Sequence, residues 1–272
     1  MPRSKKRPPR SNLLAEALVG FQAASVPAAL LRARVMGKRS MPRRPVIVLP
    51  GFAASDWSTA PLRAYLDQHG YRAEGWGLGR NTGGRGLVES VSDVSQRWEF
   101  DRERAQPIDV EVPALCDLFF QRLEERAEAH GGPVSLVGWS LGGYVAREAA
   151  RELPEHVVQV VTLGSPVNGG PKYTSIAPLF RFRGVNLDLI EETIEARNTK
   201  KIRVPITAIY GARDGIVSEY AAIDTASPYV RHERVSASHF GMGLNSKVWE
   251  LVRRALEDGD RLSASTSPSA AS

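Results

Sequence analysis

The sequence predicts an α/β fold in which a mostly parallel central sheet is covered by helices on both faces and carries a short helical cap. Three observations lead to this prediction. From residue 45 onward, short apolar runs alternate with segments whose apolar residues recur at helical spacing. The 272 residues are 42% hydrophobic and 24% charged, which is typical of a globular domain. One long apolar connection, residues 171–201, is available for the cap.

The predicted elements follow one another in a regular order. A buried strand over 45–49 ends at Pro50-Gly51, and a helix over 60–69 ends at Gly70. Because strands that alternate with helices require right-handed crossovers, the ligand site should lie at the carboxyl ends of parallel strands. The remaining strands are predicted over 71–76, 134–137, 157–163, 206–210 and 229–235, and the remaining helices over 112–130, 141–152 and 246–257.

Composition divides the chain into a basic tail with an amphipathic helix (1–44), an α/β domain (45–258) and a disordered low-complexity tail (259–272). Ser11 or Asn12 is the expected N-cap of the amphipathic helix, which should pack on the domain. Residues 87–110 have no clear period and should form an irregular excursion from the core. The apolar stripe of the N-terminal helix comprises Leu13, Leu14, Ala17, Leu18 and Phe21.

The net charge of +6 belongs to the N-terminal region. Residues 1–44 hold eleven Lys or Arg against the single acid Glu16, so the remaining chain carries a net charge of −4. A nucleic-acid surface would place basic residues on the folded domain, and we therefore expect no nucleic-acid partner. The tail is suited instead to weak contact with an anionic membrane surface. Because Glu16, Gln22 and Pro27 interrupt the apolar stretch 13–31, we expect a cytoplasmic protein that is at most peripheral to a membrane.

Cysteine and histidine usage excludes several kinds of site. Cys116 is the only cysteine, which rules out a disulfide framework and a zinc site built from several thiolates. It lies in an apolar helix face and is interpreted as a small core residue rather than a nucleophile. The five histidines show no paired ligand spacing, so neither a metal nor another cofactor is expected.

The strongest chemical motif is Gly138-Trp139-Ser140-Leu141-Gly142. The sequence G-x-S-x-G alone is common, but here a predicted strand runs directly into it and a predicted helix runs directly out. A serine in that context sits on a sharp turn at a helix N-terminus, where the dipole favours a developing negative charge. Ser140 is therefore the candidate nucleophile, and the alternative is a glycine-rich packing turn.

A nucleophilic serine needs a general base, and the base needs an acid that orients it. His239 follows the strand over 229–235 in a loop of small residues, from which an imidazole can reach Ser140. Asp214 follows the strand over 206–210 at the same edge of the sheet, and Asp188 is the alternative acid. The backbone N–H groups of Leu141 and Phe52 are the candidate oxyanion donors, because both follow strand ends.

The ordered set LPGF, GWSLGG, YGARDG and SHFG, spaced over residues 46–240, resembles an α/β-hydrolase of the lipase and esterase kind. The resemblance covers residues 45–258 and implies the α/β-hydrolase fold, with Ser140, Asp214 and His239 as nucleophile, acid and base in that order. Leu163-Gly164-Ser165-Pro166 is similar to a segment after the same strand in bacterial lipases. The sequence departs from many lipases in having Pro50 in place of histidine and in lacking an HGGG-type run.

These observations predict a serine hydrolase that cleaves carboxylic esters through an acyl-enzyme. The expected partner is a small ester with an apolar acyl chain, and Trp139, Phe180 and Phe182 are the candidate pocket residues. Residues 171–201 would either form a lid over Ser140 or only complete the cover of the sheet. An acyltransferase or a thioesterase could use the same three residues, whereas a non-catalytic ligand-binding relative should lack one of them.

Overall fold

The computed structural model describes residues 6–17, 24, 26–36 and 44–266. At its centre, six strands form one sheet, and every strand runs parallel to its neighbours. The strands are β1 (Arg44–Leu49), β2 (Tyr71–Gly75), β3 (Val134–Trp139), β4 (Val157–Leu163), β5 (Ile206–Gly211) and β6 (Val230–Val235). Their order is β2–β1–β3–β4–β5–β6, so the chain turns back after β2 and adds β3 on the other side of β1. Open α/β sheets bind ligands at such a reversal, between the loops that follow β1 and β3.

Helices cover both faces of the sheet. One face packs against α2, α3 and α10, and the other packs against α4, α5 and α7. The helices are α1 (Asn12–Ala17), α2 (Val26–Met36), α3 (Asp56–Gln68), α4 (Glu111–His130), α5 (Leu141–Glu152), α6 (Ala177–Phe182), α7 (Leu187–Arg197), α8 (Glu219–Ala222), α9 (His239–Met242) and α10 (Ser246–Thr266). The predicted α/β sheet with helices on both faces is confirmed.

Alternate residues of β1 enter two separate hydrophobic cores. Ile47 and Leu49 of β1 pack with α4 and α5, whereas Val46 and Val48 pack with α3 and α10. Because both faces are buried, the strand is a continuous apolar run rather than an alternating one. Cys116 lies fully buried in the first core, where burial raises the pKa of its thiol, as expected for a core residue.

Two helices are longer than predicted. α3 begins at Asp56 rather than at residue 60, and the Asp56 carboxylate joins this first turn to the chain after β2 by accepting the N–H groups of Trp76 at 3.0 Å and Gly77 at 3.2 Å. α10 continues to Thr266, so residues 259–266 are helical where a disordered tail was predicted. Asp260 fixes this extension, since its buried carboxylate forms an ion pair with Arg44. Residues 267–272 lie outside the described residues.

The predicted excursion over residues 87–110 is irregular but packed. It contains two 3₁₀ turns, Val91–Asp93 and Pro107–Val110. Trp98 is buried in the first core, its indole N–H donates to Asp117 at 2.9 Å, and the Arg197 guanidinium lies 3.8 Å from the centre of its ring. The segment is therefore part of the core and not an excursion from it.

The N-terminal helix α1 begins at Asn12, as predicted, but its apolar residues do not pack on the domain. Leu14 is 74% exposed, and Leu13 and Ala17 are also exposed, so the predicted apolar stripe is wrong at these three residues. Leu18 and Phe21 of that stripe lie outside the described residues. Among the helices that the structure describes, none is long and apolar enough to cross a membrane.

Candidate active site

Ser140 occupies the turn between β3 and α5 with a backbone conformation that side chains rarely adopt. Its φ is 54° and its ψ is −122°, and its N–H donates to the Leu163 carbonyl at 2.8 Å. The flanking glycines make this turn feasible. A Cβ on Gly138 would lie 2.3 Å from the Gly143 Cα, and one on Gly142 would lie 2.5 Å from the Leu49 carbonyl oxygen. The hydroxyl is thereby held above the carboxyl end of β3.

The structure brings Ser140, His239 and Asp214 into one hydrogen-bonded chain. His239 Nε2 lies 3.0 Å from Ser140 Oγ, and His239 Nδ1 lies 2.8 Å from Asp214 Oδ2. A carboxylate beside Nδ1 holds the proton on that nitrogen, which leaves Nε2 free to accept from the serine hydroxyl. Both His239 and Asp214 are buried.

The second oxygen of Asp214 is held by the loop that carries it. Asp214 Oδ1 accepts the N–H groups of Ile216 at 2.8 Å and Val217 at 2.7 Å. Two backbone donors fix the plane of the carboxylate, so that Oδ2 points at the imidazole. The alternative acid, Asp188, lies in the first turn of α7, where its side chain is 69% exposed and forms an ion pair with Lys172. Asp188 is therefore not part of this hydrogen-bonded chain.

The two candidate oxyanion donors follow β1 and β3, on either side of the reversal in strand order. Within the described part of the chain, neither the Phe52 N–H nor the Leu141 N–H has an acceptor. A Cβ on Gly51 would lie 3.2 Å from the Ser140 Cβ, so the loop after β1 closely approaches the serine. Both N–H groups are therefore available to a ligand at this edge.

An apolar cavity of about 120 Å³ opens beside Ser140. Phe52, Ser140 and Leu141 line one part of it, and the segment 171–201 contributes much of the remainder. Three charged residues line it: Glu111 and Arg183, whose side chains approach each other at 3.8 Å, and Asp109, whose carboxylate accepts the N–H groups of Gln106 at 3.0 Å and Asn186 at 2.6 Å. The apolar residues of the wall include Trp98, Phe100, Ile108, Tyr144, Ile176, Phe180, Val185, Leu189, Ile190 and Val217.

The model of a known family, described as the alpha/beta hydrolase family, matches residues 46–263. The chain belongs to the α/β-hydrolase family. No curated protein matches it.

Solved structures share this fold at low sequence identity. One is an α/β hydrolase from the metagenome of sediments of the Mar Chica lagoon, Morocco (17% identity, TM-score 0.52, covering 82% of this chain and 93% of that chain). Another comes from work on two metagenome-derived lipolytic enzymes (15% identity, TM-score 0.51, covering 80% of this chain and 94% of that chain). A third is a bacterial membrane phospholipase A described as a virulence factor (14% identity, TM-score 0.51, covering 91% of this chain and 95% of that chain).

Two of the three predicted pocket residues of this α/β hydrolase do not line the cavity. Phe182 is 90% exposed, because it lies on the face of α6 opposite to the cavity. Trp139 lies on the histidine side of the serine, where its indole N–H donates to the His239 carbonyl at 3.2 Å and its ring packs against Gly243. Phe180 does line the cavity, and its ring centre lies 5.8 Å from that of Phe52.

Sequence reasoning missed Asn81, which holds the loop after β1. Its side-chain amide donates to the Pro50 carbonyl at 2.9 Å. Its backbone carbonyl accepts the Ala53 N–H at 2.7 Å, and its backbone N–H donates to the Ala54 carbonyl at 2.7 Å. Asn81 is completely buried. The signal was weak, since Asn81 lies in a glycine-dense loop where asparagine is an ordinary turn residue.

A buried cluster of ion pairs holds the C-terminal half of α5, away from Ser140. Arg147 forms an ion pair with Asp224 at 2.7 Å, and Glu148 forms ion pairs with Arg151 and Arg197. Burial alone would raise the pKa of Asp224, but the Arg147 guanidinium outweighs it and lowers that pKa to about 2. The cluster anchors the helix whose first turn carries the candidate nucleophile.

Proposed function

We propose that this α/β hydrolase cleaves carboxylic esters through an acyl-enzyme on Ser140. The observation that carries the proposal is the Ser140–His239–Asp214 chain, with contacts of 3.0 Å and 2.8 Å, beside an apolar cavity. A serine joined to a base, which is in turn oriented by a buried acid, is the arrangement that nucleophilic acyl transfer requires.

In the first half-reaction, Ser140 Oγ attacks the ester carbonyl while His239 Nε2 takes the hydroxyl proton. Asp214 stabilises the imidazolium that forms and keeps its Nδ1 proton directed at the carboxylate. The Phe52 and Leu141 N–H groups donate to the negative oxygen of the tetrahedral intermediate. His239 then protonates the leaving alcohol, and the acyl group remains on Ser140.

In the second half-reaction, water takes the place of the alcohol. His239 removes a proton from the water, which attacks the acyl carbonyl. As the tetrahedral intermediate collapses, the bond to Ser140 Oγ breaks, His239 donates the proton to that oxygen, and the carboxylic acid is released. The cavity supports an apolar acyl chain as the group carried through both steps, because its charged residues have partners within the protein: Glu111 pairs with Arg183, and Asp109 accepts the Gln106 and Asn186 N–H groups.

A panel of p-nitrophenyl esters tests the proposal. The wild type should hydrolyse them, and Ser140→Ala should retain at most a few per cent of kcat/KM. Ser236→Ala is a matched control, because Ser236 is an exposed serine outside the hydrogen-bonded chain and should retain full activity. Equal activity of Ser140→Ala and Ser236→Ala would contradict the proposal.

A further inference from the structure

The N-terminal helix α1 contacts the two loops that carry Asp214 and His239. The Glu16 carboxylate accepts three backbone N–H groups: Oε1 from Gly215 at 2.8 Å and from His239 at 2.8 Å, and Oε2 from Phe240 at 3.0 Å. Gly215 directly follows Asp214, so a single side chain joins the residue next to the acid to the base itself.

The Glu16 carboxylate is suited to this position for two reasons. His239 and Phe240 begin α9, and the first N–H groups of a helix have no acceptor within the helix. Ser238 Oγ accepts the Gly241 N–H at 3.2 Å, and Glu16 accepts the two N–H groups before it. Hydrogen bonds from backbone N–H groups to a carboxylate are shorter and stronger than those to a neutral acceptor.

Asn12 adds a second connection from the same helix. Its side-chain amide donates to the Asp214 carbonyl at 3.2 Å and to the Ala212 carbonyl at 3.4 Å. The loop approaches α1 so closely that a Cβ on Gly215 would lie 2.7 Å from the Asn12 carbonyl oxygen. Gly215 therefore provides the space in which α1 lies against the Asp214 loop.

Apolar burial does not explain why α1 lies there. No residue of α1 is buried, and Leu13 and Leu14 are both exposed. The contacts described above are made instead by the two polar side chains of Asn12 and Glu16. Glu16 is also the only acidic residue among residues 1–44, which otherwise hold eleven Lys or Arg.

We propose that Glu16, assisted by Asn12, is a positioning residue for the Ser140–His239–Asp214 chain. It lies outside residues 46–263, which match the family model, so the basic N-terminal region supplies part of the support for the reaction centre. Glu16 acts through the backbone of the two loops, by fixing the separation and angle between the acid and the base. The inference rests on the function proposed above.

The test measures the reactivity of Ser140 and the binding of substrate separately. A fluorophosphonate probe gives the rate of covalent labelling at Ser140, and a butyrate ester gives kcat and KM. Misplacing a catalytic group by about 1 Å costs roughly 100-fold in rate, so Glu16→Ala should lower both kcat and the labelling rate about 10- to 100-fold. KM should change less than twofold, because Glu16 does not line the cavity.

Two further variants keep the test specific. Glu16→Gln keeps one carbonyl oxygen for the Gly215 and His239 N–H groups but places an NH₂ group against the Phe240 N–H, so its loss should lie between those of the wild type and Glu16→Ala. Leu14→Ala, an exposed position of the same helix, should match the wild type. Each rate is measured well below the melting temperature of the variant and is normalised to the fraction of protein that can be labelled.

The outcomes separate the two proposals. A wild type that the probe does not label contradicts the proposed function. A labelled wild type together with Glu16 variants that react equally fast contradicts the positioning role alone. The Glu16 variants could instead contain less protein that can be labelled, while that protein reacts at the wild-type rate. This result would also contradict the positioning role, because Glu16 would then only stabilise the fold.

Discussion

Phe180 of α6 packs against Phe52, with 5.8 Å between their ring centres and 58° between their planes. This contact joins the segment 171–201 to the loop that carries a candidate oxyanion donor. The segment therefore closes one side of the cavity beside Ser140, rather than only completing the cover of the sheet.

The first prediction concerns the length of the acyl chain. Each methylene that the cavity buries should contribute about 0.8 kcal/mol, or roughly fourfold in kcat/KM. We expect kcat/KM to rise from acetate to at least hexanoate p-nitrophenyl esters. Phe180→Ala should flatten this rise without abolishing acetate cleavage, whereas Phe182→Ala, on the exposed face of the same helix, should leave it unchanged. A wild type that prefers acetate would show that acyl chains do not use the cavity.

The second prediction compares the two candidate acids. Asp214→Asn should lower kcat by about 10⁴-fold, because an amide no longer holds the Nδ1 proton of His239 and favours the wrong tautomer. Asp188→Asn should retain nearly full kcat, since Asp188 forms its ion pair with Lys172, outside the hydrogen-bonded chain, and is largely exposed. Steady-state kinetics on one short-chain ester compare them, and equal losses would contradict the assignment of the acid.

Much of this site is predictable from sequence because its parts are local. Ser140, Asp214 and His239 each follow a strand, and strand ends are marked by apolar runs that stop at glycine or small residues. Parallel pairing then brings these ends to one edge of the sheet without any further information.

The remaining parts depend on contacts between distant residues. Glu16 contacts His239 across 223 positions and Asn81 contacts Pro50 across 31, and no periodicity indicates either contact. Phe180 and Phe182 lie in the same apolar segment, and the sequence does not distinguish them. Only the packing of α6 on the domain decides which of them faces the cavity. The sequence likewise does not indicate that the Trp139 ring turns toward Gly243, on the histidine side of the serine.

The third prediction concerns stability at low pH. The pKa of Asp224 is about 2 in the folded protein, below its ordinary value of 3.8, because of the ion pair with Arg147. The stabilisation is therefore fully present above pH 4 and is lost as the pH falls toward 2, which amounts to about 2 kcal/mol.

Urea unfolding at pH 7, 4 and 2 checks this prediction with Asp224→Asn. That variant removes the carboxylate nearest to the buried Arg147 and leaves the more distant one of Glu148 at 3.6 Å, so it should lose about 3–5 kcal/mol of unfolding free energy at pH 7. Its deficit relative to the wild type should shrink between pH 4 and pH 2. Asp258→Asn, at a partly exposed aspartate of α10, should show no such trend. A deficit that does not vary with pH would contradict the role given to the ion pair.

The fourth prediction concerns the basic tail, for which we propose weak contact with anionic membrane surfaces. Deleting residues 1–10 should change kcat on a short-chain ester less than twofold, because Asn12 and Glu16 remain. Deleting residues 1–17 should lower kcat as strongly as Glu16→Ala does. Binding to phosphatidylserine vesicles should weaken in the shorter deletion and should fade as salt rises. Salt-independent binding, or binding that is as strong after the deletion as before it, would contradict an electrostatic role for the tail.

Detection of an acyl group on Ser140 during turnover is the most direct test of the proposed function. The enzyme is mixed with an ester whose acyl group is hydrolysed from the enzyme slowly. The mixture is quenched in acid during turnover and analysed by intact mass and peptide mapping. The account predicts one added acyl group, located on the peptide that contains Ser140 and missing from Ser140→Ala. Full turnover with no acylated protein, or an acyl group mapped to any other residue, would contradict it.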